Sequence, residues 1–433
     1  MPQTSTTPGD RSVADHSTGS GPGFSGDADR RSKSESLGER LLGSLIDRAH
    51  VLPPRLLAPL LAQEIDAAGG REVTVYLQDY DQEQLRPLPG EGLAVGEPVP
   101  VAGTWAGRAF TSDTPVEQRL DDGSTRLFLP MLDGSDRVGV LAFTLPRLDD
   151  DRRLAGRLAG LAADMIVTKG MYTDTFFTTR AGRSMSLPAQ LQWQLLPPLT
   201  MTTPQVAVAG ILEPAYHVGG DSFDYALNDH VLDLAIIDAM GHGLDAATMA
   251  TVAIAAYRHA RRDGVDLVDL YREMDTAIAE QFPGRFATAQ MGELDTDTGA
   301  LTWVNAGHPA PMLLRGRRMV GELTGPTTRP VGFGGATPLV QTRQLEPGDR
   351  VLFYTDGVVE ERLSSGEQFG EDRLIDLLER AGAEGISPPE TIRRLSRALM
   401  SGRAGQTSDD ATLFLLEWTG PDGEDDLRRD LAV

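Results

Sequence analysis

Val351-Leu-Phe-Tyr354-Thr-Asp356-Gly357 is the stretch that decides how this 433-residue chain is read. Four consecutive apolar residues mark a strand covered on both faces, because a half-exposed strand would alternate. The strand ends in an Asp followed by Gly. The same design recurs at Ile236-Ile237-Asp238, which continues as Ala239-Met240-Gly241-His242-Gly243. Asp409 and Asp410 stand immediately before another apolar run, Thr412–Leu416, and Val218-Gly219-Gly220-Asp221 supplies a fourth acidic motif. Each motif alone reads as an ordinary turn. Together they describe several buried strands that each deliver a carboxylate to one end. Buried carboxylates are costly unless paired or bound to a cation, and neighbouring acids raise each other's pKa values. A divalent metal resolves that conflict. The chain has no cysteine, so the ligand set is all oxygen and favours Mg²⁺ or Mn²⁺ over zinc. Several carboxylates point to two ions and a water made nucleophilic by them.

Around these motifs, alternating strands and helices run from Val206 to Glu417. The apolar patterning predicts strands at Val206–Leu212, Val231–Ile237, Phe286–Glu293, Ala300–Asn305, Val351–Tyr354 and Thr412–Leu416. Asp295-Thr-Asp-Thr-Gly299 reads as a hairpin turn. Helical periodicity predicts helices at Leu244–Arg262, Leu267–Phe282, Asp372–Ala381 and Pro389–Ser401. Met240, Met249 and Met291 read as core filler.

Upstream, Pro188 to Pro197 predicts a short helix with Leu191, Leu195 and Leu196 on one apolar stripe, placed where it can carry a signal between two domains. Before it, helices are expected from Leu41 to Ile46 and from Leu56 to Ala68, stopped by Gly69-Gly70. A half-buried strand is expected at Val73, Val75 and Leu77. Further strands are expected near Val99–Val101, Leu127–Met131 and Val138–Leu145, the last two joined by a turn at Leu132-Asp-Gly-Ser135. A helix starting in Asp149–Asp151 follows, running through Leu154 to Ile166. The first 37 residues are rich in Ser, Thr, Gly, Pro and Asp, a composition that cannot bury a core. Lys and Arg number 40 against 63 Asp and Glu, a net charge of −23, which argues against nucleic-acid binding. No apolar run reaches the roughly 18 residues of a membrane span, and no secretory signal is visible, so a soluble, cytoplasmic protein is expected.

From Leu191 to Glu417, about half of the chain, the sequence resembles bacterial metal-dependent Ser/Thr phosphatases of the protein phosphatase 2C class. The similarity is greatest to the branch of stage II sporulation protein E and the regulator-of-sigma-B phosphatases. The matching words are Leu195-Leu-Pro197, Glu213-Pro-Ala215 with Val218-Gly-Gly-Asp221, Asp238-x-Met-Gly-His-Gly243, Asn305-Ala-Gly-His-Pro309, Gly348-Asp-Arg-Val-Leu-Phe-Tyr-Thr-Asp-Gly357 and Asp409-Asp-Ala-Thr412. The resemblance implies an α+β fold in which two antiparallel sheets are flanked by helix pairs. It implies that Asp238 bridges two Mn²⁺ or Mg²⁺ ions, that Asp221 and the carbonyl of Ala239 hold one, and that Asp356 and Asp409 hold the other. Asp410, Gly220 and Gly357 are implied to support these ligands. His242 and His308 are implied to serve turns. No arginine is assigned to the phosphate; Arg285 and Arg329 stand as candidates by position. Ser222-Phe-Asp224 and Val359 depart from the commoner family words without touching a ligand position.

The upstream region resembles a GAF sensory domain, which implies an α/β module for sensing or dimerisation. Haem or bilin attachment within it is excluded by the absence of His from Arg71 to Thr168 and of Cys anywhere. The expected organisation is a tail over 1–37, a GAF-like domain over 38–170, a linker over 171–200, a phosphatase domain over 201–418 and a charged tail over 419–433. The implied activity is hydrolysis of phosphoserine or phosphothreonine on a protein. The implied substrate is a phosphorylated anti-anti-sigma factor of the STAS type, and the implied assembly a homodimer through the GAF-like domain and linker helix. Two rival readings are a catalytically silent scaffold of the same fold and a metal-dependent phosphodiesterase of small molecules.

Overall fold

The computed structural model describes residues 43, 45–48, 51–94, 96–146, 152–217, 219–402 and 410–421. The tail over 1–37, the residues Leu41 and Leu42, the acidic start at Asp149–Asp151 and the ligand candidate Asp409 lie outside the described residues.

The first sheet has six strands: β1 (Arg71–Gln78), β2 (Gln84–Pro87), β3 (Val99–Pro100), β4 (Val116–Arg119), β5 (Thr125–Asp133) and β6 (Asp136–Leu145). Their order is β3-β2-β1-β6-β5-β4. The β5–β6 hairpin closes with Asp133 opposite Asp136 around Gly134, whose φ of +60° meets the positive φ of a two-residue turn. One face packs on the helices Leu57–Ala67 and Arg152–Gly170 through Val73, Val75, Leu77, Leu61 and Leu158. The other is roofed by the helix Trp105–Ser112, where Phe110 meets Leu85 and Val140. This second roof corrects the expectation for β1. The strand is not half-buried, because Thr74 and Gln78 on its polar face are also buried. The roofing helix is only 8 residues long and carries few large apolar side chains, so its period is hard to detect.

From Thr200 onward the chain builds two more sheets. The strands are β7 (Thr200–Thr202), β8 (Val206–Glu213), β9 (Asp221–Asn228), β10 (Val231–Ala239), β11 (Ala287–Asp295), β12 (Ala300–Ala306), β13 (Met312–Arg315), β14 (Arg318–Glu322), β15 (Val340–Gln344), β16 (Asp349–Tyr354) and β17 (Ala411–Trp418). One sheet runs β15-β12-β11-β10-β9 and the other β14-β13-β16-β17-β8-β7, with antiparallel pairing throughout. Side-chain alternation assigns the layers. In β10, Leu232, Leu234 and Ile236 turn inward and meet Phe353 and Phe414 of the facing sheet. Ala235, Ile237 and Ala239 turn outward under the helices Leu244–Asp263 and Leu267–Gln281. In β16, Val351 and Phe353 face the sheet interface, while Leu352 and Tyr354 meet the helices Glu371–Ala383 and Pro388–Gly402. The architecture is helix pair, sheet, sheet, helix pair, as the α+β reading expects.

The linker helix spans Leu187–Leu195, with the Ser186 hydroxyl accepting from the Ala189 N–H at 3.3 Å. Its buried side chains are Ala189 and Gln192, and the three leucines are half-buried. They do not form one stripe. Leu195 packs under the helix Leu244–Asp263, whereas Leu196, past the helix end, packs on the sheet interface. The helix joins the two parts of the molecule through Trp193. Its indole meets the ring of Tyr80, from the β1–β2 turn, at 4.7 Å and a tilt of 58°, and its N–H donates to the Ala215 carbonyl at 2.7 Å. Among the described residues, no helix is long and apolar enough to cross a membrane.

Candidate metal centre

Asp221 opens β9 and pairs directly with Asp238 near the end of β10. Directly opposite residues of an antiparallel pair share a face. Phe223 and Ile236, two residues along each strand, face the sheet interface, so both carboxylates turn into the end of that gap. Asp221 is 3% exposed. Its carboxylate accepts from the hydroxyls of Thr355 at 2.6 Å and Thr412 at 2.9 Å, which come from the facing sheet. The Thr412 N–H in turn donates to the Thr355 hydroxyl at 2.9 Å, which fixes that side chain. Burial, and then the charges of Asp238 and Asp410, push the Asp221 carboxyl well above the usual carboxylate range, against the two threonine hydrogen bonds that lower it.

The Asp410 carboxylate accepts from the Gly219 N–H at 2.6 Å and the Asp221 N–H at 3.4 Å. It therefore holds the backbone of the Gly-Gly-Asp motif. The glycines are dictated by backbone contact. A Cβ on Gly220 would come within 2.9 Å of the Ala239 carbonyl oxygen, and one on Gly357 within 1.8 Å of the Asp410 carbonyl oxygen. The first motif thus meets the second backbone to backbone, the third meets the fourth in the same way, and the Asp410 carboxylate ties the fourth to the first.

Asp356 begins the five-residue helix Asp356–Glu360 and is exposed, while Thr355 before it is fully buried. Among the described residues, no three carboxylate or imidazole side chains gather around one point closely enough to hold a cation. The described donors at the centre are Asp221, Asp238 and the carbonyl of Ala239. These are hard oxygen ligands, and a cation at this spot would relieve the mutual repulsion that raises Asp221. The donor set therefore fits Mg²⁺ or Mn²⁺.

Sequence reasoning passed over Thr355, Thr412 and Gln192. The first two stand inside the motifs as apparent spacers. Gln192 lies on the linker helix, and its amide donates to the Asp221 carbonyl at 2.5 Å. Met249 and Met291 are core residues as expected, but Met240 is 45% exposed beside the site, because its turn lifts it off the sheet. His308 is buried; its ring bonds the Thr288 hydroxyl at 2.8 Å, and Asn305 clamps its backbone through the His308 N–H and carbonyl. Burial pulls its imidazole down to about 3, so it is neutral. His242 is exposed in its turn. Arg285 pairs with Asp245 at 3.1 Å, and the Arg329 carbonyl accepts from the Tyr271 hydroxyl at 2.8 Å. The Ser222-Phe-Asp224 departure is structural: Phe223 fills the core and Asp224 pairs with Arg258 at 2.7 Å and Arg261 at 2.9 Å.

Comparison with known proteins follows the same outline. The profile of the family described as Stage II sporulation protein E (SpoIIE) matches residues 228–419. Protein IcfG of Synechocystis sp. is 28% identical over 221 residues, which are 44% of this chain and 34% of that protein. Phosphoserine phosphatase RsbP of Bacillus subtilis is 26% identical over 163 residues, 36% of this chain and 40% of that protein. This chain thus spans well under half the length of either relative. The solved RsbU and RsbW domains of a Mycobacterium tuberculosis protein are 26% identical, with a TM-score of 0.44 over 53% of this chain and 69% of theirs. Asp238, Asp356 and Asp409 fall inside the matched segment, and Asp221 precedes it. Over residues 228–419 this chain is accordingly similar to the family described as Stage II sporulation protein E.

Proposed function

We propose that residues 201–418 form a protein serine/threonine phosphatase that removes phosphate from a phosphoprotein. The observation that carries the reading is the Asp221–Asp238 pair, directly opposed at the end of two buried strands, with the Asp221 carboxyl pushed up by burial and by its acidic neighbours. Asp238 would serve both of two Mn²⁺ or Mg²⁺ ions, Asp221 and the Ala239 carbonyl would help hold one, and Asp356 and Asp409 would hold the other. When bound, such ions supply the positive charge that neutralises the carboxylates and activates water towards a phosphomonoester. Thr355 and Thr412 hold the Asp221 carboxylate in one orientation. Asp410 and Gly220 hold its backbone against the Ala239 carbonyl, and Gly357 lets the third and fourth motifs close. Hydrolysis proceeds by direct attack of water, with no phosphoenzyme, in keeping with the absence of cysteine and the burial of His308.

The substrate we favour is a phosphorylated anti-anti-sigma factor of the STAS type in a cytoplasmic partner-switching pathway. Two relatives support it by name: RsbP, and the Bacillus subtilis phosphoserine phosphatase RsbU, 22% identical over 54% of this chain. Residues 38–170 act as a GAF-like sensory or dimerisation module, and the helix carrying Leu191, Leu195 and Leu196 passes its state on. Its contacts with Tyr80 on one side and Asp221 on the other support that role. The test is hydrolysis by the full chain of phosphoserine peptides and of cyclic nucleotides, each with Mn²⁺ and with EDTA. Release of phosphate from the peptides alone, in Mn²⁺ alone, is expected. Cleavage of the cyclic nucleotides would make it a phosphodiesterase, and no turnover of either would leave a scaffold.

A further inference from the structure

A cleft of about 490 Å³ lies between the segment Val101–Thr111 of the first region and the helix Pro388–Gly402 of the second. Its lining runs against the charge of the chain. In a protein with net charge −23, four arginines line this one space: Arg108 from the first region and Arg393, Arg394 and Arg397 from the second. Among the described residues, Glu390 is the one acid in the lining. It is already engaged. Its carboxylate takes Arg393 through two bonds of 2.7 and 2.8 Å and the Arg394 Nε at 3.0 Å, and Arg137 of the first region reaches it at 3.5 Å.

These bonds divide the arginines into two kinds. Arg393 and Arg137 are buried; Arg393 pairs with Glu390 on its own helix, and Arg137 reaches the same carboxylate from the first region. Arg394 is spoken for by Glu390 and by Glu384 at 2.9 Å. Arg108 and Arg397 are not needed for the contact. Arg108 lies over the Trp105 ring at 4.8 Å, and among the described residues neither Arg108 nor Arg397 has a carboxylate within ion-pair distance. Both are exposed. Two guanidinium groups from opposite walls are therefore left facing one cleft, with Thr111, Ser401 and the backbone of Gly103 beside them.

Guanidinium forks match phosphate oxygens in geometry and charge, and they bind them best where several converge. The volume suits a ligand of nucleotide size. We propose that this cleft binds a small phosphate-bearing anion, held by Arg108 from one wall and Arg397 from the other, and that the anion clamps the two regions together. The proposal is independent of the phosphatase reading, because no residue of the acidic motifs takes part.

The test uses the full chain, dialysed against EDTA and kept free of divalent cations so that the candidate metal centre cannot recruit phosphate. Pyrophosphate, ATP and adenosine are titrated by calorimetry at fixed ionic strength, with thermal unfolding as a second readout. Saturable binding of pyrophosphate or ATP, with a rise in Tm, is expected, and adenosine alone is expected not to bind. Binding of both anions assigns the site to phosphate; binding of ATP alone assigns it to a nucleotide. Arg397→Glu and Arg108→Glu should each weaken binding by about tenfold or more, in line with the loss of one charge-assisted contact, while Arg397→Lys should weaken it less. Asp238→Asn should bind as the unmodified chain does. Absence of saturable binding at millimolar anion would overturn the proposal. So would a charge-reversed variant that folds normally and binds undiminished, or loss of binding in Asp238→Asn.

Discussion

Two six-stranded antiparallel sheets, one at each end of the chain, handle buried polar groups in opposite ways. In the first, buried polar side chains of the sheet meet complements, although the Gln78 Oε1 stays without a hydrogen bond. Thr144 donates to Glu72 at 2.9 Å, Arg126 donates to Thr144 and Thr74, and Arg137 forks onto Asp113 at 2.7 and 2.8 Å. The second does the same away from its strand ends: Asp349 takes Arg315 at 2.6 Å, and Ser396 donates to Glu213 at 2.7 Å. Among the described residues, like charges gather where its edge meets the five-stranded sheet, with burial and then Asp238 and Asp410 raising Asp221. Matched pairs stabilise a fold or are neutral to it. Like charges in a buried slot destabilise it unless something else binds there. That contrast separates scaffold from site.

The largest expected effect comes from breaking the site alone. Asp238→Asn should cut Mn²⁺-dependent phosphate release by more than about a hundredfold, since even supporting residues of metal sites cost 10–100-fold. Its circular dichroism and Tm should match the unmodified chain. Asp113→Asn, which breaks a matched pair in the first sheet, should do the reverse: lower Tm and leave kcat alone. If Asp238→Asn keeps a tenth of the turnover, the contrast fails.

Gly357→Ala tests the backbone closure. Its methyl would sit 1.8 Å from the Asp410 carbonyl oxygen, so strands must shift. A loss of about 3 kcal/mol in stability, as in severe overpacking, is expected from denaturant unfolding. A variant as stable as the parent would show that the third and fourth motifs do not touch.

Thr355→Val removes one hydroxyl from Asp221 without changing shape. It should cost about 1–3 kcal/mol when the buried acceptor loses its donor, and should raise the Mn²⁺ concentration needed for half-maximal activity. An unchanged metal requirement would remove Thr355 from the site.

The smallest effect lies at the junction between the regions. Burial pushes the Asp81 carboxyl up to about 6, with Arg183 at 3.5 Å only partly offsetting it. The folded state then keeps the proton that the unfolded state releases near its ordinary value of 3.8. Stability falls as pH rises from about 4 to 6 and is level above. Asp81→Asn should abolish that fall, being about 1–2 kcal/mol more stable than the parent at pH 7 and equal to it at pH 4. Equal unfolding midpoints at both pH values would contradict this.

Much of the second region was legible because its chemistry is local. A run such as Val351–Tyr354 announces a strand covered on both faces, and the carboxylate that ends it is conspicuous. β9 was missed for a reason that follows from the site. Asp221, Ser222 and Asp224 make the strand look polar, yet Asp221 is buried for the centre, and Asp224 for Arg258 and Arg261. Thr355 and Thr412 are ordinary residues until the facing sheet brings them to Asp221. The leucines of the linker helix misled because Leu196 follows the helix end and turns to another layer. Gln192 was invisible, since its partner stands 29 residues away. Contacts between the regions, such as Tyr80 on Trp193, leave no periodic trace at all.

The most direct test of the account is a titration of Mn²⁺ into EDTA-dialysed full chain, with metal binding followed by calorimetry and phosphoserine-peptide hydrolysis followed in the same samples. The account requires that hydrolysis be absent without metal and rise with occupancy to two ions per chain, and that Asp238→Asn lose both binding and hydrolysis. Full hydrolysis in the metal-free protein, or undiminished binding and turnover in Asp238→Asn, would contradict it.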